Sequence, residues 1–227
     1  MGKFAKGKEG LMRAQIFGCV LLLFLAVLPA QNTLQAQSYY GLDDAIFMHG
    51  AEAILQFLRD QKYGDDEQME IRAKMIRFLG NPANKGNEAI KNQLLNTMEE
   101  GFSRFAVRNN REFGYWQIRA ESALSLARIG DTSVAPAIAR LAFLDTNEQV
   151  KMCAIRALGI LKYDGSVPLL IDMLSLSPID RLANELVQAL GEIGDKRAFP
   201  ILLSYAMRST TGTLQRSSLA AVKKIKW

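Results

Sequence analysis

Few side chains in this 227-residue sequence have the type and spacing for covalent or metal chemistry. His49 is the only histidine, and Cys19 and Cys153 are the only cysteines. A structural or catalytic zinc needs three or four His, Cys or carboxylate ligands in a compact pattern. His49 and Cys153 lie about a hundred residues apart, with no motif at either end. The chain has no glycine-rich dinucleotide fingerprint, phosphate-loop lysine or serine-nucleophile elbow. Two pairs of carboxylates recur at fixed intervals, Asp131 with Asp195 and Glu121 with Glu185. Glycoside hydrolysis needs two carboxyl groups about 5–9.5 Å apart, whereas equivalent residues of neighbouring helical repeats stand about 10 Å apart. Asp131 and Asp195 fall in tight turns, and Cys153 interrupts the other column. The sequence therefore predicts no catalytic residue, no metal site and no cofactor.

It offers binding chemistry instead. Phe102, Phe105, Phe113, Tyr115 and Trp116 alternate with Arg104, Arg108 and Arg111 within residues 101–116. Tyr, Trp and Arg are the residues that most often carry binding energy at protein contacts. Aromatics beside arginines also suit stacked nucleobases, a use that the charge balance below disfavours. The bland reading is that the aromatics anchor an irregular loop. A second set is spread further: Arg140, Asp172 and Ser204, then one helical turn on Phe143, Ser175 and Met207. Such a mixed face, with exposed Phe and Met, suits a protein or peptide ligand; otherwise it is an ordinary solvated surface.

The elements that position these residues follow from a repeat. Pro136, Pro168 and Pro200 recur every 32 residues, as do Leu126, Leu158, Leu190 and Val222. Each unit holds two apolar helical stretches and cannot bury them alone, so units must stack. The predicted fold is all-α: an α-solenoid of stacked helical hairpins with a period of 32 and no sheet. First helices are expected over 116–129, 148–161 and 180–193, with another over 214–226. Second helices start near the three prolines, at positions whose N–H needs no partner. These second helices, with Arg140, Phe143, Asp172, Ser204 and Met207, are expected to line the concave face. Asp145 with Glu148, and Ser177 with Asp180, have the spacing of capping boxes. Gly159 and Gly191 lie inside first helices, where glycine costs about 1 kcal/mol relative to alanine. Their recurrence in one column predicts close helix packing.

Upstream the pattern diverges. Helices are expected over 43–60, 67–79 and 88–100. Leu79 and Leu126 are 47 residues apart, and the excess is the insertion at 101–116.

The strings SLARIGDTSVAP (125–136), ALGILKYDGSVP (157–168) and ALGEIGDKRAFP (189–200) resemble HEAT repeats of the short kind known from phycobilin-lyase subunits. The pattern A-L-G-x-I-G-D-x-x-A-V-P is nearly complete at Ala189–Pro200. Lys162-Tyr163 replaces its Gly-Asp in the middle repeat, and Ala127 replaces its glycine in the first. The resemblance covers 116–227, extends to 67–80 and does not reach 37–60. It implies stacked hairpins that act as scaffolds, adaptors and occasionally enzymes.

Ile16–Leu28 is an uncharged apolar run preceded by Lys3, Lys6, Lys8 and Arg13 and followed by Pro29-Ala30. This is the order of a secretory signal, with cleavage expected after Ala30 or Ala36. The run is short for a membrane span, which takes about 20 residues, so any membrane contact runs through this segment if it is retained. A start at Met12 would give a more compact leader. Residues 1–36 are then leader and 37–227 a single solenoid domain. The leader supplies +3 of the formal +5, leaving about +2 for the remainder, which is too little for a nucleic-acid surface. Cys153 would be the only cysteine of the mature chain, with no intramolecular disulfide. It reads as a small half-buried residue, or as a thiol able to pair between chains.

The resulting expectation is an exported, periplasmic or extracellular, non-catalytic scaffold whose partner is another protein. A lyase-like enzyme or chromophore-attachment subunit is the alternative, and a nucleic-acid-binding protein is a third reading should the leader be no leader.

Overall fold

The computed structural model describes residues 50–60, 66–103, 107–108, 111–112, 115–177, 181–208 and 212–227. The leader, His49 and the segment expected to open the first helix lie outside these residues. The chain divides into two compact units, Met1–Ile54 and Leu55–Trp227. Of the first, only residues 50–54 are described, at the start of helix α1 (Ala51–Asp60).

The second unit continues through α2 (Asp66–Leu79), α3 (Glu88–Ser103), α4 (Tyr115–Ile129) and α5 (Ala135–Leu144). It goes on with α6 (Glu148–Leu161), α7 (Val167–Leu176), α8 (Arg181–Ile193), α9 (Phe199–Arg208) and α10 (Gly212–Val222). It is an all-α solenoid. Among the described residues, the one strand pairing is a short antiparallel hairpin in the insertion, β1 (Val107–Arg108) with β2 (Arg111–Glu112), where the expected fold has no sheet. The break in period is long enough to fold back on itself, and a hairpin satisfies backbone groups there that no neighbouring helix supplies.

The first helices α2, α4, α6, α8 and α10 pack one on the next. Small residues let their backbones meet. Gly159 faces the Cα of Ala189, Gly191 faces Ala221, and Gly80 faces Ser125. Ser125 also donates its hydroxyl to the carbonyl of Ile76 on the preceding first helix, at 2.9 Å. The second helices behave differently. Each packs on the first helix that follows it: α3 on α4, α5 on α6, α7 on α8, α9 on α10. The first helices thus form the more closely packed layer, and the second helices, each packed on a first helix, form the more open one.

The turns explain the recurring polar residues. Asp131 and Asp195 accept the backbone N–H two residues on, from Ser133 at 2.9 Å and Arg197 at 2.8 Å, and so cap the short 3-10 turns that lead into α5 and α9. Three left-handed residues end the first helices: Gly130 at φ 77°, Gly194 at φ 74°, and between them Lys162 at φ 51°. The substitution of Lys162-Tyr163 for Gly-Asp therefore keeps the backbone path, with a side chain placed where one costs about 1–2 kcal/mol.

The expected capping box at Asp145 does not form. Asn147 caps α6, accepting from the N–H groups of Gln149 and Val150. Asp145 is 1% exposed and takes the guanidinium of Arg119 at 2.7 and 3.1 Å. A buried arginine needs a buried carboxylate, and that need outranks a cap that Asn147 can provide. At the equivalent place Ser177 donates to the carbonyl of Met173; Asp180 lies outside the described residues.

Candidate functional site

The insertion is only partly described. Arg104, Phe105 and Phe113 lie outside the described residues. Arg108 and Arg111 face each other in the register of the β1–β2 hairpin. Tyr115 and Trp116 open α4 and are half-buried, so they belong to the stack itself. The structure therefore separates this group into a hairpin pair and two helix residues.

The second-helix set lies along α5, α7 and α9. Arg140 and Asp172 are exposed and Ser204 is half-buried. Phe143 is 58% exposed and Met207 73%. Arg140 is shared with Glu99 of α3 at 3.4 Å. Beneath that pair, the cleft lined by Met98, Ala137 and Leu141 holds about 20 Å³, room for a single water at most.

A groove lies on the first-helix layer, where the sequence reading placed no site. It runs across α6, α8 and α10 and encloses about 490 Å³. Its floor is Gly159, Ala189, Ala220 and Ala221, and Ile160 stands in it 47% exposed. Two ion pairs border it, each joining neighbouring helices. Arg156 grips Glu185 with both nitrogens, at 3.1 and 2.5 Å, and Lys224 reaches Glu192 at 2.5 Å. The groove exists because glycine and alanine bring the three backbones together without filling the space above them. The signal for it was in the sequence: the glycine column and the column Glu121, Cys153, Glu185. Missing was the knowledge that the first helices turn their other face to solvent.

The same layer carries a third cluster. Glu121, 7% exposed, accepts both donors of Arg77 from α2, at 3.1 and 2.9 Å, and one from Arg128 at 2.9 Å. Burial pushes its carboxyl upward, but the hydrogen bonds from Arg77 and Arg128 outweigh this, and the net shift is downward. Cys153 sits half-buried between this cluster and the Arg156–Glu185 pair. Burial pushes its thiol above the ordinary value, which lowers its thiolate fraction. Asp131 lies 3.2 Å from Lys91, and Asp195 is held at about 2, chiefly by the side-chain hydrogen bond from Arg197.

Every recurring carboxylate is thus engaged by a neighbour. Asp131 and Asp195 cap turns, while Glu121 and Glu185 tie helices. Among the described residues, no group of three His, Cys, Asp or Glu side chains is placed to hold a metal ion. No described helix is long and apolar enough to cross a membrane.

Stacked helical hairpins with a small-residue seam and proline-started second helices define an α-solenoid built from short repeats. Residues 114–190 match HEAT repeats, and residues 183–206 match the PBS lyase HEAT-like repeat. The matched stretch, residues 114–206, is the part of the chain whose own motifs resemble such repeats. No curated protein matches the chain.

Proposed function

We propose that this protein is an exported, non-catalytic scaffold that holds a segment of another protein in the groove across α6, α8 and α10. The observation that carries the reading is the groove: about 490 Å³, lined by small and apolar residues together with two ion pairs, Arg156–Glu185 and Lys224–Glu192. Repeat solenoids of this kind generally serve protein–protein interaction. The carboxylates that chemistry would need are committed to turns and helix ties, which supports a role without catalysis. The apolar run behind a basic N-terminus supports export.

The test is affinity purification of the chain from its native source beside an Ala220→Trp variant. Ala220 is exposed and lines the groove, so a tryptophan there fills the groove without entering the core. A partner held by the wild type and lost from the variant is the expected result. A chain that purifies alone, or a partner that ignores Ala220→Trp, overturns the reading. The match to the PBS lyase repeat motivates one alternative, a chromophore-attachment subunit, and a coloured preparation would favour it.

A further inference from the structure

The last repeat differs in charge from the rest of the stack. Residues 196–227 hold seven basic residues and no Asp or Glu, whereas residues 55–195 carry more acid than base. The two carboxylates just before this stretch are already engaged, Glu192 by Lys224 and Asp195 by Arg197. Lys196, Arg216, Lys223 and Lys226 are exposed and form no ion pair among the described residues.

Part of this charge stands where the earlier repeats have their seam. Gly159 and Gly191 meet the first helix that follows them. Ile155 and Val187 lie one turn earlier on the same face and are fully buried. The same columns in α10 hold Lys223 and Leu219, and Arg216 lies one turn further back. Leu219 is 47% exposed between these two cations. Lys223 bars a further first helix, since even an added Cβ at Gly159 or Gly191 would lie 3.0 or 2.7 Å from the neighbouring helix. This face of α10 is therefore no seam for another repeat.

Beyond α10 the chain folds back over the α8–α9 turn. Lys226 donates its backbone N–H to the carbonyl of Gly194 at 2.9 Å. The ring of Trp227 meets Phe199 edge-on, with centroids 4.9 Å apart. Trp227 is thus held in place, yet it is 85% exposed. With Lys196 and Lys226 it borders an open pocket of about 410 Å³.

Unmatched cations around exposed hydrophobes, one of them an indole, have the chemistry that an anionic bilayer surface recognises. Lys and Arg are drawn to its headgroups, and Trp and Leu enter the zone between headgroup and acyl chain. We propose that α10 and the segment that follows it dock on an anionic lipid surface. Arg216, Lys223 and Lys226 face the lipid phosphates, and Leu219 and Trp227 enter the interface. The acid excess of residues 55–195 favours this face over others of the second unit. The contact adds to the N-terminal run, to which the sequence reading confined the membrane. It uses neither the groove nor its ion pairs and is independent of the scaffold reading.

Tryptophan fluorescence of the full chain tests it. The chain has two tryptophans, so Trp116→Phe leaves Trp227 as the sole reporter. Its emission is followed on phosphatidylcholine vesicles with and without phosphatidylglycerol. The expected result is a blue shift, and quenching by brominated acyl chains, on the anionic vesicles only and fading as salt rises. Arg216→Gln and Lys223→Gln should each weaken the binding that Trp227 reports by about fivefold, the loss of one cation near such a surface. Leu219→Ser should weaken it with the salt dependence unchanged. These positions are exposed, and unchanged circular dichroism will show that the variants fold. Vesicle binding through the apolar N-terminal run alone would leave Trp227 solvent-like, and the proposal would then fail. Equal shifts on neutral vesicles, or glutamine variants that bind as wild type does, would overturn it too. A shift with soluble polyglutamate and with no vesicle would assign the face to an acidic protein, against the proposal.

Discussion

Replacing Gly191 by alanine adds one methyl group to the seam between α8 and α10. A Cβ at that position would lie 2.7 Å from the Cβ of Ala221 and 2.8 Å from its Cα. Carbons in comfortable contact stand about 3.5–4 Å apart, so the helices must part by roughly 1 Å. Two effects then compete. Alanine is the better helix former by about 1 kcal/mol, while overpacking a fixed seam costs about 1–3 kcal/mol. The second prevails because the opposing atoms include backbone, and Gly191→Ala should destabilise by up to about 2 kcal/mol. Gly159→Ala is the milder case, with Ala189 at 3.0 and 3.2 Å, and should fall near zero. Gly212 opens α10 with nothing within 4 Å, so Gly212→Ala should be neutral or stabilising. Urea unfolding followed by circular dichroism ranks the three. In the Gly191→Ala background, adding Ala221→Gly should recover part of the loss, whereas Ala221→Gly alone should cost about 1 kcal/mol. A Gly191→Ala variant more stable than Gly212→Ala would refute the seam.

Other outcomes follow from the same structure. Leu158 is fully buried in α6, and Leu158→Ala should cost about 2–5 kcal/mol in chemical denaturation, with neighbouring repeats sharing the loss. Arg119→Met leaves the buried Asp145 without its cation and should cost about 3–5 kcal/mol; a loss near that of a surface substitution would contradict the assignment. Lys162→Gly relieves a left-handed lysine and should raise stability by up to about 1 kcal/mol, read as a shift in melting temperature. Glu121 has its folded value lowered, so its contribution is present above the ordinary glutamate range and is lost as pH falls through the lower folded value. Glu121→Gln should therefore be less stable than wild type at neutral pH, and the gap should close in acid; a gap independent of pH would exclude this linkage.

Much of the fold was legible because repetition makes the sequence state its own period. The prolines, the leucine columns and the interior glycines fixed helix order and seam, and α4 and α6 lie within a residue of their expected bounds. Local rules failed where a tertiary need overrode them. Asp145 has the spacing of a cap, yet a buried Arg119 claims it. The insertion carries no helical period, and its hairpin depends on backbone pairing that composition does not announce. The site was harder to read for a geometric reason. Where a groove opens in a stack depends on how closely successive helices approach, and that is decided by pairs such as Gly159 with Ala189, 30 residues apart. The exposed Phe143 and Met207 were visible from the 32-residue columns; for the groove beside Ile160 the sequence showed the glycine column but not the space left above it.

The most direct test of the central claim is to isolate the protein from its native source with whatever it holds, in parallel with Ala220→Trp. The account predicts a protein partner that stays with the wild type and is lost from the variant, while both chains show the same helicity and melting. A partner retained equally by both, or a wild-type chain that comes away alone, would contradict it.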